Sequence, residues 1–153
     1  MKITIVGAGY VGLVTAAIYS EFGNDVFCVD ISKDRIEKLK EGIVPFFEPN
    51  LEAYIKRGFK ENRLHFTTSY QESVSKSDLV FICVGTPPGK DGEADLTYLF
   101  AAIEETAKNL SKNTQIVIKS TYPIGLEHDL ESIAKKIAKH HFEFASCPEI
   151  LKQ

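Results

Sequence analysis

Apolar positions along the chain alternate between two periods. Short runs in which most residues are apolar are separated by longer stretches where apolar residues recur every three or four positions, the signatures of buried strands and amphipathic helices. The runs cover residues 3–6, 25–30, 64–67, 78–84, 115–119 and 142–146. Between the first two, Val11, Val14, Ile18 and Phe22 are spaced by 3, 4 and 4. Residues 32–40 form a charged amphipathic helix closed by Gly42, and residues 45–49 are extended because a residue preceding proline avoids the helical region. Asn50 is placed to cap a helix from Leu51 to about Arg57, and Ser69-x-x-Glu72 to form a capping box. Asp95 caps a helix carrying Leu96, Leu99, Ile103, Ala107 and Leu110 on one side. The last helix turns Leu126, Leu130, Ile133 and Ile137 inward and Lys135, Lys136 and Lys139 outward.

Strands alternating with helices give an α/β fold, because parallel strands need crossovers. The run at 78–84 is continuously apolar from Leu79, as in a central strand buried on both faces. The chain has no internal repeat, low-complexity segment or proline-rich linker, and its 153 residues predict one domain with a sizeable core. Hydrophobic residues at 44% and charged residues at 25% are ordinary for a soluble globular protein. A net charge of −3 gives no reason to expect nucleic acid or an anionic membrane as partner. No apolar run is long enough for a membrane span, and the N-terminus enters a strand without a signal-peptide core. Cys28, Cys83 and Cys147 are odd in number and widely spaced, which predicts reduced thiols in a cytoplasmic protein. No cysteine pair has ligand spacing and His140-His141 lacks partners, so no metal is expected.

The stretch Gly7-Ala8-Gly9-Tyr10-Val11-Gly12 stands between the first strand and the first helix, the context in which G-x-G-x-x-G binds a dinucleotide. Gly7 permits the tight turn, Gly9 lets a pyrophosphate approach the backbone, and Gly12 lets helix and strand pack closely. The unpaired N–H groups of the helix start then face the phosphates. Asp30 ends the second strand 18 positions after Gly12. A carboxylate there accepts hydrogen bonds from ribose hydroxyls and repels a 2′-phosphate, favouring NAD over NADP. The competing role for Asp30 is an N-cap of the next helix. Arg35 either reaches back to the adenosine end or is an exposed helix arginine.

The fingerprint makes the sheet a Rossmann-type doubly wound one of six strands in the order 3-2-1-4-5-6, with ligands beyond the carboxyl ends of the strands. The segments to watch are 7–12, 84–88, 119–125 and 147–153. Thr86 offers a hydroxyl at the crevice. Ser120 and Thr121 offer two more, placed to orient water or cofactor or simply to satisfy backbone groups. Lys119 is either a phosphate ligand or, more commonly for a strand-end lysine, a solvated charge. Glu149 is a lone carboxylate where the chain leaves the sheet.

Several longer stretches carry a resemblance: MKITIVGAGYVGLVTA, VDISKDR, PFFEPNLE, FICVGTPPGKDGEADLTY, IKSTYPIG and CPEILKQ. In order and spacing they resemble the N-terminal NAD-binding domain of the UDP-glucose 6-dehydrogenase family, which includes GDP-mannose and UDP-N-acetylmannosamine dehydrogenases. The resemblance implies that NAD is held by Gly7, Gly9, Tyr10, Val11 and Gly12, by Asp30 and Arg35, and by Val84 and Thr86. It places Thr121 at the nicotinamide, helping to hold a catalytic water. Glu149 becomes the base for thioester hydrolysis, with Ile150, Leu151 and Lys152 lining the sugar-nucleotide site. Gln153 counts among the cofactor positions but stands where the family often has a glutamate.

The implied reaction is two successive NAD-dependent oxidations at C6 of a nucleotide sugar, UDP-glucose first among the choices, by a homodimer when full length. The family's catalytic cysteine lies in a glycine-rich motif of a second half, after a connecting helix, and none of Cys28, Cys83 and Cys147 matches it. The expectation is one domain over residues 1–153 that binds NAD without turning over UDP-glucose by itself. GDP-mannose or UDP-N-acetylmannosamine is the sibling alternative. A stand-alone NAD-sensing module, such as a potassium channel's nucleotide-binding domain, would share the glycine turn and the acid. It has no reason to keep KSTYPIG or PEILK. A ligand-free structural domain has no use for the intact glycines and Asp30.

Overall fold

The computed structural model describes residues 1–89 and 92–149. Strands β1 (Lys2–Val6), β2 (Asp25–Val29), β3 (Leu64–Thr67), β4 (Leu79–Ile82), β5 (Thr114–Ile118) and β6 (Phe142–Ser146) form one sheet in the order β3-β2-β1-β4-β5-β6. Every neighbouring pair is parallel, as the pattern requires. Helices α1 (Tyr10–Glu21), α2 (Lys33–Lys40), α3 (Leu51–Lys60), α4 (Tyr70–Ser73), α5 (Thr97–Asn109) and α6 (Glu127–Ile137) make the crossovers. One core unites Ile3, Ile5 and Phe81 with Leu13, Ala16 and Ala17 of α1 and Leu51 and Ile55 of α3. The other unites Val80, Ile82 and Ile116 with Leu99 and Ile103 of α5 and Leu130 of α6. Helices thus cover both faces of the central strands.

Several local expectations change. The apolar stripe of α1 marks a helix, but it is not the buried face. Gly12, Leu13, Ala16, Ala17 and Ser20 are buried, whereas Ile18 is 41% and Phe22 77% exposed. Small residues face inward because α1 lies close to its neighbours. The same closeness puts Gly58 inside α3, which runs past Arg57 to Lys60: a Cβ there would meet Ser20 Oγ at 2.5 Å. Asn50 precedes α3 but does not cap it; its φ of 67° is left-handed and no side-chain cap bond forms. Ser69 makes only the forward half of its capping box, accepting from Glu72 N at 3.2 Å, because Glu72 Oε2 accepts from Thr67 Oγ1 at 2.8 Å instead. Asp95 lies one residue before the N-cap position, Leu96, and its Oδ1 accepts from Thr97 N at 3.0 Å.

β4 is shorter than its apolar run, and Asp78 at its entrance has another task. Its Oδ2 accepts from Lys2 N at 2.9 Å and its Oδ1 from Lys112 Nζ, joining the entrances of β1 and β4 to the loop before β5. The Lys112 hydrogen bond, helped by Lys2 N, holds the Asp78 carboxyl below its ordinary value. A depressed folded-state pKa contributes stability above the unfolded value that is lost as pH falls through the folded one. Urea unfolding from about pH 6 to about pH 3 should therefore show wild type losing more stability than Asp78→Asn, the gap closing at the acid end. A constant gap would contradict this.

Candidate functional site: a cleft at the carboxyl ends of the strands

Two glycines of the first turn are demanded by the surrounding backbone, and the third leaves open space. Gly7 has φ 101°, and a Cβ there would lie 2.8 Å from the carbonyl oxygen of Cys83. A Cβ on Gly12 would lie 1.8 Å from the carbonyl oxygen of Gly7. Around Gly9 a Cβ would meet nothing within 4 Å, because that position faces open space. The helix that follows begins bare. Gly9 is its N-cap residue, no side chain caps it, and its first turn holds no acid. By contrast, Ser32 caps α2 and Ser69 caps α4. The first-turn N–H groups of α1 and its positive dipole end are left for an anion.

Asp30 follows β2 and is 7% exposed. Its Oδ2 accepts from Ala8 N at 2.7 Å and from Arg35 Nη1 at 2.9 Å, and its Oδ1 from Ser32 N at 2.9 Å. Because Ser32 Oγ, not Asp30, accepts from Arg35 N, Asp30 is not the cap of α2. It locks the glycine turn to the start of α2, and Arg35 reaches back to it. These groups line a cleft of about 930 Å³ with Gly7, Gly9, Val84 and Thr86. Tyr10 directs its side chain elsewhere: its hydroxyl donates to Glu48 Oε2 at 2.6 Å and its ring lies 5.0 Å from that of Phe46. Only its backbone, like that of Val11 in the same turn, belongs to the helix start.

Beside the cleft, side chains stitch together the ends of β4, β5 and β6. Ser120 Oγ donates to the Val84 carbonyl at 2.7 Å, so this hydroxyl serves the backbone. Thr86 Oγ1 donates to the Thr121 carbonyl at 2.8 Å, and Thr121 Oγ1 to the Glu149 carbonyl at 3.0 Å. Thr121 and Glu149 therefore adjoin the cleft through Thr86 without lining it. Lys119 is no solvated charge: it is 15% exposed and its Nζ lies 2.9 Å from Glu149 Oε2. Burial alone would lower the Lys119 pKa, but the hydrogen bond and charge of Glu149 outweigh it and the ammonium sits above its ordinary value. Burial pushes the Cys83 thiol up to about 12, and burial raises Cys28 as well, so neither is a thiolate at neutral pH.

Ile150, Leu151, Lys152 and Gln153 lie outside the described residues. The cleft also takes in residues that the sequence reading did not single out: Ile31, Ser32, Tyr70, Tyr98, Ala101, Ala102 and Glu105. Tyr70 opens the helix after β3, and the rule that ligands sit beyond strand ends applied there too. Nothing in the sequence marks Ala101 or Glu105, which reach the cleft only because α5 lies along it.

These features fit a dinucleotide: an open approach at Gly9, an uncapped helix start and a buried acid bonded to the same glycine turn. Among known proteins, the family described as "UDP-glucose/GDP-mannose dehydrogenase family, NAD binding domain" matches residues 1–153. UDP-glucose 6-dehydrogenase of Rhizobium meliloti is 46% identical over 137 residues, 89% of this chain and 31% of that protein. UDP-glucose 6-dehydrogenase TuaD of Bacillus subtilis is 40% identical over 154 residues, 99% of this chain and 33% of that one. The solved UDP-glucose dehydrogenase of Pyrobaculum islandicum aligns with a TM-score of 0.92 at 34% identity, over 99% of this chain and 36% of the other. GDP-mannose dehydrogenase of Pseudomonas aeruginosa aligns with a TM-score of 0.94 at 34% identity, over 100% of this chain and 37% of the other. The chain thus spans about a third of the length of these relatives. It belongs to the UDP-glucose/GDP-mannose dehydrogenase family, whose NAD-binding domain it constitutes.

Proposed function

We propose that residues 1–153 form one cofactor domain serving the NAD-dependent oxidation of a nucleotide sugar, UDP-glucose first. The observation that carries this is the bare start of α1 opening beside Asp30 in one cleft. In this reading the first-turn N–H groups of 10–12 receive the diphosphate, Gly9 leaves it room, and Gly7 and Gly12 hold the turn. Asp30 grips the adenosine ribose with Arg35 beside it, and Val84 and Thr86 form the opposite wall. Bound NAD supplies a hydride acceptor. Thr121 orients a water and the Glu149 carboxylate, held beside Lys119, takes its proton; the 3.0 Å bond from Thr121 Oγ1 to the Glu149 backbone carbonyl keeps the two residues adjacent, and Thr86 links them to the cleft. Ile150, Leu151 and Lys152 would line the sugar-nucleotide site and Gln153 would touch the cofactor. UDP-glucose rests on the names of the relatives at 46% and 40% identity; the homodimer rests on family likeness alone.

Calorimetry with NAD, NADP and UDP-glucose separately tests this reading. NAD should bind, NADP at least about tenfold more weakly because Asp30 repels its 2′-phosphate, and UDP-glucose poorly or not at all. The chain mixed with NAD and UDP-glucose should form no NADH. Tight UDP-glucose binding or measurable turnover would contradict the division of labour.

A further inference from the structure

The far end of the cleft has a chemistry that the diphosphate and ribose do not use. A dinucleotide laid with its diphosphate at Gly9 and its ribose on Asp30 carries its base beyond Asp30, away from Thr86. Tyr70 of α4, Tyr98, Ala101, Ala102 and Glu105 of α5, and Ile31 also line this cleft, and Tyr70 lies close to both Glu105 and Asp30. Ala101 and Ala102 present only methyl groups, which leaves room for a flat ring. Ile31 and Tyr98, 71% and 50% exposed, offer apolar surface that a ring would cover. Two polar groups remain. Glu105 Oε1 accepts from Lys108 Nζ at 2.8 Å, leaving Oε2 for another donor. The Tyr70 hydroxyl has no hydrogen-bond partner among the described residues. It is close enough to both Glu105 and Asp30 for their charges to act on it.

We propose that Glu105 and Tyr70 form a base-reading subsite selecting a 6-aminopurine at the adenosine end, with Glu105 accepting from the exocyclic amino group and Tyr70 bonding a ring nitrogen. This rests on the reading that the cleft holds the cofactor with its ribose on Asp30. An ionised carboxylate only accepts, so it favours an amino group and opposes the carbonyl oxygen of a 6-oxopurine. A hydroxyl donates or accepts and bonds either base. Discrimination therefore belongs to Glu105, and Tyr70 adds affinity without choosing.

The test is calorimetric and needs no turnover. NAD and nicotinamide hypoxanthine dinucleotide differ only in this base, the second carrying oxygen where the first has the amino group and a proton on N1 where the first has a bare nitrogen, a position that the Tyr70 hydroxyl can bond in either case. The wild-type chain should bind NAD about tenfold more tightly, since a partly exposed carboxylate discriminates less than a buried one. In Glu105→Gln the two ligands should come within about threefold of each other, because an amide presents a donor as readily as an acceptor. Glu104→Gln makes the same charge change on the same helix but does not line the cleft, and should keep the wild-type ratio. Tyr70→Phe should weaken both ligands alike. Equal binding of both ligands by wild type, an unchanged ratio in Glu105→Gln, or an equal fall in Glu104→Gln would overturn the subsite. Failure of wild type to bind either ligand would instead overturn the parent reading.

Discussion

Replacing Gly12 by alanine should unfold the chain more readily and abolish NAD binding, whereas the same change at Gly9 should weaken binding alone. The Gly12 methyl would sit 1.8 Å from a backbone oxygen of the preceding turn, and no side-chain motion relieves such a clash. Either α1 lifts from β1 or the turn opens, at a cost of about 3 kcal/mol, the upper end for overpacking. In a chain of this size that lowers Tm by about 6–12 °C. At Gly9 the backbone is extended, with φ −80°, and the methyl enters open space. Stability there should hold or rise by up to about 1 kcal/mol, because alanine narrows the unfolded ensemble. On the proposed reading the methyl nonetheless occupies the approach of the diphosphate. Losing one charge-assisted hydrogen bond, about 1.5–3 kcal/mol, weakens NAD about 10- to 100-fold. Thermal melting and calorimetry on the two variants separate these outcomes. Equal loss of stability in both would deny Gly9 its place as the approach.

Asp30→Ala should cost both stability and cofactor choice. The carboxylate accepts from Ala8 N, Ser32 N and Arg35, and Ala8 is fully buried. Its removal strands the Ala8 N–H without water, at about 1–3 kcal/mol. On the proposed reading NAD would lose its ribose partner, while NADP would lose a repulsive neighbour and gain a released Arg35 for its 2′-phosphate. The NAD:NADP affinity ratio should therefore fall at least about tenfold. Asp30→Asn separates the two effects: it keeps an acceptor for Ala8 N, so stability should largely return while the ratio stays narrowed. An unchanged ratio in both variants would remove Asp30 from cofactor selection.

The sheet was legible because its signals are local. Each strand is a short segment rich in apolar residues, and parallel pairing follows from the helices between them. The glycine turn was legible because its spacing encodes a clash, Gly12 against Gly7, that any side chain would violate. What the sequence concealed depends on partners far along the chain. The buried face of α1 consists of Gly12, Ala16, Ala17 and Ser20 as much as of Leu13, and small residues give no hydrophobic period. Lys119 looks solvated until β6 brings Glu149 beside it, 30 positions later. Asn50 has the residue type of a cap but a left-handed backbone, and its side chain makes no cap bond. Glu105 lies on a partly buried helix face, and only the line of α5 along the cleft carries it to the site.

On the proposed reading the uncapped start of α1 receives a diphosphate while Asp30 holds the adjoining ribose. A crystal structure of the chain with NAD tests it most directly. Phosphate oxygens should lie within hydrogen-bond distance of the backbone N–H groups at 10–12, passing over Gly9, with ribose hydroxyls on Asp30 and the base beyond it toward Tyr70. NAD bound elsewhere on the molecule, or in this cleft with its diphosphate away from Gly9 and Asp30 facing no hydroxyl, would contradict it.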